Sequence, residues 1–124
     1  RVVFEFELHN EGKVVLVLYM GRFKKRKIEQ FTPTVFLKVE DILDAYGVSA
    51  EVVELPGHTL GSIGLKVGDT DLFVGDALMN LIYPCKSMLY GNKDVVDSSA
   101  SKISDMGEVT IHFGHGKPMP NKQW

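Results

Sequence analysis

"LFVGDAL", residues 72–78, reads as an apolar strand that stops at a glycine and delivers a carboxylate, Asp76, just beyond it. The same design occurs twice more. "VVELPGHT", residues 52–59, runs apolar through Val52, Val53 and Leu55, turns at Pro56 and Gly57, and presents His58. "TIHFGHGK", residues 110–117, breaks at Gly114 and presents His115. Glycine has no Cβ, so it admits positive φ and close backbone approach, and the chain can turn sharply at a sheet edge. Side chains at the ends of neighbouring strands can then converge on one cleft although they are distant in the chain.

Two imidazoles and a carboxylate suit zinc, iron or manganese better than calcium or magnesium. A carboxylate has two oxygens and can bridge two ions, an arrangement used in metal-assisted hydrolysis. His58, Asp76 and His115 are therefore the candidate metal ligands. One histidine after a glycine is ordinary turn chemistry. Three glycine-led strand ends in one chain carry the inference.

Composition sets the bounds. The 124 residues, 44% of them hydrophobic, suffice for one domain with its own core, residues 1–124. Fourteen basic against sixteen acidic residues give a formal charge of −2, which argues against a nucleic-acid binder. The longest apolar run, Val14 to Met20, is far short of the ~20 residues that span a bilayer, so no membrane partner is expected. The chain starts at Arg1 without a signal-peptide pattern, and its single cysteine, Cys85, cannot close an intrachain disulfide. The single cysteine fits a cytoplasmic protein.

The elements alternate. "VVFEFEL" (2–8) and "KVVLVLYM" (13–20) form an expected N-terminal hairpin, and "GRFKKRK" (21–27) a solvated basic loop. "EDILDAYG" (40–47) predicts a brief helix or turn closed by Gly47. "AEVVEL" predicts a strand, and "SIGLKV", "GDTD" and "LFV" a hairpin. A short helix is expected over 97–106, capped by Asp97 or Ser98, and "VTIHF" is the expected last strand. Strands outnumber helices, which gives a mixed α/β (α+β) domain.

At this point "LPGHTLGSIGL", "LFVGDAL" and "IHFGHGKP" together resemble the later motifs of the metallo-β-lactamase superfamily, in its glyoxalase-II-like hydrolase branch. The resemblance runs from about Thr32 to the C-terminus, leaving 1–31 as a separate hairpin and basic loop. It implies half of an αββα sandwich with a two-metal centre at one edge, where hydroxide attacks an ester, thioester, amide or phosphoester of a small-molecule substrate. By that match His58 serves the first metal, Asp76 bridges and is the catalytic residue, and His115 serves the second. Thr59 and Ser62 brace the loop.

The departure is equally informative. The family's first metal motif, H-x-H-x-D-H, is absent: the four histidines are His9, His58, His112 and His115. His9 reads as a turn residue, and His112, inside a strand, as a packing or hydrogen-bonding one. Catalytic zinc sites keep about three protein ligands per ion, so three side chains shared by two ions leave both incomplete. Three readings follow: part of a longer hydrolase, a non-catalytic relative, or a homodimer or second chain that completes the sandwich. A half-fold exposes one apolar sheet face, which predicts self-association or a partner. Elsewhere the chemistry is thin. Cys85 reads as a small buried hydrophobe, and neither a calcium loop nor a phosphate-cradling glycine motif is present.

Overall fold

The structure, a computed structural model, describes residues 7–8, 32 and 36–124. The expected hairpin and basic loop, and the boundary near residue 31, therefore lie outside the described residues, apart from a two-residue strand, β1 (Glu7–Leu8).

The remaining strands are β2 (Ala50–Glu54), β3 (Ile63–Val67), β4 (Asp71–Gly75), β5 (Leu78–Met79), β6 (Cys85–Lys86), β7 (Leu89–Tyr90), β8 (Thr110–Phe113) and β9 (Met119–Pro120). Among the described residues one helix, α1, spans Lys93–Ser104, and one 3₁₀ turn spans Asp44–Tyr46. Gly47 closes that turn in the left-handed region with φ 77°, as expected. Five strands form one mixed sheet in the order β2-β3-β4-β8-β9. The β2–β3 and β3–β4 pairs are antiparallel, β4–β8 is parallel, and β8–β9 is antiparallel. The short strands pair separately, β5 with β6 and β1 with β7.

Helix α1 buries Val96, Ser99, Ala100, Ile103 and Ser104, one stripe at i, i+3, i+4, i+7 and i+8 spacing. Ala100 and Ile103 pack with Leu55, Leu72, Val74, Leu78 and Ile111 into the core between helix and sheet. The opposite sheet face is more open. Ile63 and Phe73 are 38% and 44% exposed, and the Phe73 ring stacks on His112 with centroids 4.4 Å apart.

Two expectations need correction. The helix starts at Lys93 rather than Asp97, because Asn92 is the cap: its side chain accepts from the backbone N–H of Asp94 and Val95. Asp97 instead takes hydrogen bonds from Lys86 and Lys93. The helix also ends at Ser104, leaving Asp105 and Met106 in a turn before Gly107. Nor is "VTIHF" the last strand, since Met119–Pro120 pairs outside it. Proline is tolerated there because β9 is a sheet edge, where a missing N–H faces no neighbour.

Candidate metal centre

The topology brings the three strand ends to one edge. Strands β2 and β4 both run antiparallel to β3, so they point the same way, and β8 runs parallel to β4. His58 lies beyond the end of β2, Asp76 directly follows β4, and His115 follows β8 by way of Gly114.

Each turn has a physical cause. Gly57 adopts φ 145°, and a Cβ there would stand 2.7 Å from Val96 Cγ2 of α1, so only glycine lets this loop rest on the helix. The Ser99 hydroxyl donates to the Pro56 carbonyl at 2.6 Å and ties the loop down. The Thr59 N–H donates to Ser62 Oγ at 3.1 Å, and the two hydroxyls lie 2.9 Å apart, the bracing role expected of them. The β4–β8 register slips at Phe73/Gly75, and the Gly114 N–H donates to the Gly75 carbonyl at 2.8 Å. Asp76 and His115 thereby leave the sheet side by side.

His58 Nδ1 lies 2.9 Å from the Leu89 carbonyl, which can only accept, so Nδ1 carries the proton. The buried Ser87 hydroxyl donates to the same carbonyl at 2.9 Å and sits 3.3 Å from Nδ1. In the neutral ring Nε2 is then a lone-pair donor to a cation, and it faces Asp76 Oδ2 at 3.8 Å. His115 Nε2 lies 3.6 Å from the other carboxylate oxygen, Oδ1. That oxygen is buried and accepts no hydrogen bond from the described residues.

Two electron-rich atoms, His58 Nε2 and Asp76 Oδ2, thus face each other, beside an orphaned carboxylate oxygen. A buried polar atom left without a partner is costly. A cation of the zinc, iron or manganese type would answer both features, so the donor set fits such an ion. The convergence is pairwise, through Asp76. Among the described residues no group of three or more His, Cys, Asp or Glu side chains is gathered closely enough to hold an ion as it stands.

The other candidates fall elsewhere. His112 Nε2 is 2.7 Å from Asp71 Oδ1, so this histidine hydrogen-bonds and stacks, as expected. The Thr70 hydroxyl, and after it His112, hold Asp71 below the usual carboxylate range. Cys85 is half-buried in β6. His9 lies outside the described residues. Sequence reasoning missed Ser87, Ser99 and the Leu89 carbonyl, which orient His58 and its loop. A carbonyl leaves no trace in residue identity, and lone serines form no motif.

No protein-family profile matches the sequence. In its C-terminal portion the chain is similar to a hydroxyacylglutathione hydrolase of Vibrio parahaemolyticus, 40% identical over 83 residues, which cover 65% of this chain and 32% of that protein. The Vibrio campbellii hydroxyacylglutathione hydrolase is 41% identical over 73 residues, covering 59% and 28%. The chain spans about a third of the length of these curated relatives. Among solved structures, the BLEG-1 B3 metallo-β-lactamase superposes with TM-score 0.64 at 23% identity, over 91% of this chain and 58% of the other. The protein TTHA1623, solved in a di-iron-bound form, gives TM-score 0.64 at 19% identity over the same shares. A metallo-β-lactamase family protein from Thermus thermophilus gives 0.62 at 17%, over 91% and 42%. Among the described residues no helix is long and apolar enough to cross a membrane. This chain has the α/β fold of the metallo-β-lactamase family, matched over part of that fold's length, and its C-terminal portion resembles the hydroxyacylglutathione hydrolases in sequence.

Proposed function

We propose that this chain supplies the second set of ligands of a metal-dependent hydrolase centre, acting on a small acyl thioester or related ester. The observation that carries the reading is Asp76, whose two oxygens face different imidazoles, His58 at 3.8 Å and His115 at 3.6 Å, with Oδ1 buried and accepting no hydrogen bond from the described residues. The thioester preference is taken from the names of the relatives, which are hydroxyacylglutathione hydrolases.

His58 holds its proton at Nδ1, against the Leu89 carbonyl, and keeps Nε2 free to ligate. Asp76 offers one oxygen to each side of the centre and would bridge two ions. His115 provides the nitrogen on the far side. The chemistry that bound zinc, iron or manganese supplies is a water pKa lowered to about 7 and a polarised carbonyl. The remaining ligands come from a further segment or from a second chain, a homodimer included. A cytoplasmic setting agrees with the single cysteine.

A second reading has its own support. The three donors do not form a ready ion-holding group among the described residues, as a non-catalytic, self-associating relative would have it. Metal analysis separates the two. Near-stoichiometric zinc or iron that disappears in the combined His58→Ala, Asp76→Ala, His115→Ala variant, together with thiol release from a hydroxyacylglutathione by the loaded protein, supports the hydrolase. Metal-free protein whose folding and self-association survive the triple change supports the alternative.

A further inference from the structure

A cavity of about 420 Å³ opens between β6, the first turns of α1 and the C-terminal tail. Small-molecule sites occupy roughly 300–1,000 Å³. The charged side chains on its wall are three lysines, Lys86, Lys93 and Lys122, and one carboxylate, Asp97. This balance opposes that of the whole chain, whose formal charge is −2.

The positive groups are held in place. Lys86 Nζ donates to Asp97 Oδ1 at 2.6 Å, and Lys93 Nζ donates to Oδ2 of the same carboxylate. Among the described side chains on the wall, one carboxylate is shared by two ammonium groups, with Asp94 acting on Lys93 from outside the cavity. Each ammonium has three N–H groups, so both keep donors for a ligand. Lys122, which has no carboxylate partner among the described residues, adds a further positive charge, its Nζ lying 4.7 Å from the centre of the Trp124 ring.

The rest of the wall is apolar. Tyr90 and Val96 are buried at its base, and Trp124 forms one side. The tail that carries Trp124 is anchored, because its backbone N–H donates to Ser104 Oγ at 3.1 Å and its indole N–H to Asn121 Oδ1 at 2.9 Å. The ring also meets Phe113 edge-on, with centroids 5.9 Å apart. Aromatic surface beside prepositioned ammonium groups recognises an apolar body and an anionic head at once, with little ordering cost on binding.

We infer that this cavity is a binding site for a small carboxylate or phosphate with an aromatic or aliphatic body. It stands apart from the metal reading, since none of its charged groups belongs to the Asp76 centre. The two are physically linked: Ser87 lines the cavity and lies 3.3 Å from His58 Nδ1.

Trp124 is the single tryptophan and lines the cavity, so its fluorescence reports occupancy. The intact protein is titrated with hydrocinnamate and with its neutral amide, hydrocinnamamide. The expected result is a saturable change with the carboxylate, at least about tenfold weaker binding of the amide, and a loss of about fivefold or more in carboxylate affinity in Lys93→Met and in Lys122→Met, with amide binding unchanged. Lys122 is exposed, so its variant keeps the test open if Lys93→Met fails to fold. Absence of a saturable change, equal affinity for the two probes, or variants that bind the carboxylate like the parent would each overturn the assignment.

Discussion

A Cβ on Gly114 would stand 2.7 Å from Asp76 Oδ1 and 3.1 Å from the Gly75 carbonyl carbon, closer than side chains and backbone tolerate. Gly114 is therefore the residue that lets strand β8 approach the carboxylate at the centre of the site. Gly114→Ala must displace either Asp76 or the backbone of β4, at a cost of about 1–3 kcal/mol. Gly91, where a Cβ meets nothing within 4 Å among the described residues, is the control. Thermal unfolding should show a lower Tm for Gly114→Ala and a near-parental one for Gly91→Ala.

Ser87→Ala removes a hydroxyl that shares the Leu89 carbonyl with His58 Nδ1. Groups that orient a ligating histidine commonly change metal affinity by about 10–100-fold. Because the Leu89 contact persists in this variant, the lower end is expected, about tenfold weaker zinc binding with circular dichroism unchanged. Competition with a chelating dye measures it.

The Lys86–Asp97–Lys93 cluster predicts a pH dependence with a definite sign. Hydrogen bonds from Lys86, then Lys93, hold Asp97 below its ordinary value of 3.8. Its contribution to stability is complete above that value and is lost as pH falls through the lower folded pKa. Asp97 in turn raises Lys93 above 10.5, so that contribution is complete below 10.5 and fades as pH rises through the raised value. The Asp97 side chain is 34% exposed, and solvent screening keeps the effect modest. Melting temperatures across pH should fall less steeply on the acid side in Asp97→Asn than in the parent.

Ile103 is fully buried where α1 meets the sheet. Ile103→Ala should cost about 2–5 kcal/mol, from lost burial and the cavity left behind. The loop that carries His58 rests on the same helix through Gly57 and Ser99, so metal binding should weaken along with stability. Urea unfolding and zinc titration on one preparation check both.

Much of this arrangement is legible in the residues themselves. The apolar runs Val52 to Leu55 and Leu72 to Val74 give the strands, and the glycines at 57, 75 and 114 mark where they break. The turn "GDTD" announces the β3–β4 hairpin, but the parallel pairing of β4 with β8, which brings His115 beside Asp76, joins strands far apart in the chain and has no local signature. The helix start was obscured because Asn92, Asp97 and Ser98 are all good caps, and only the ion pairs to Lys86 and Lys93 decide what Asp97 does. Strand β9 hid behind two prolines, which only an edge position permits. The Leu89 carbonyl, which sets the His58 tautomer, is invisible to any reading of side chains.

Zinc titration of the intact protein, compared between Asp76→Ala and His112→Gln, tests the central claim most directly. His112 is a histidine of the same sheet whose partners are Asp71 and Phe73. The account predicts that binding vanishes in Asp76→Ala and persists in His112→Gln. Equal binding by the two variants would contradict it.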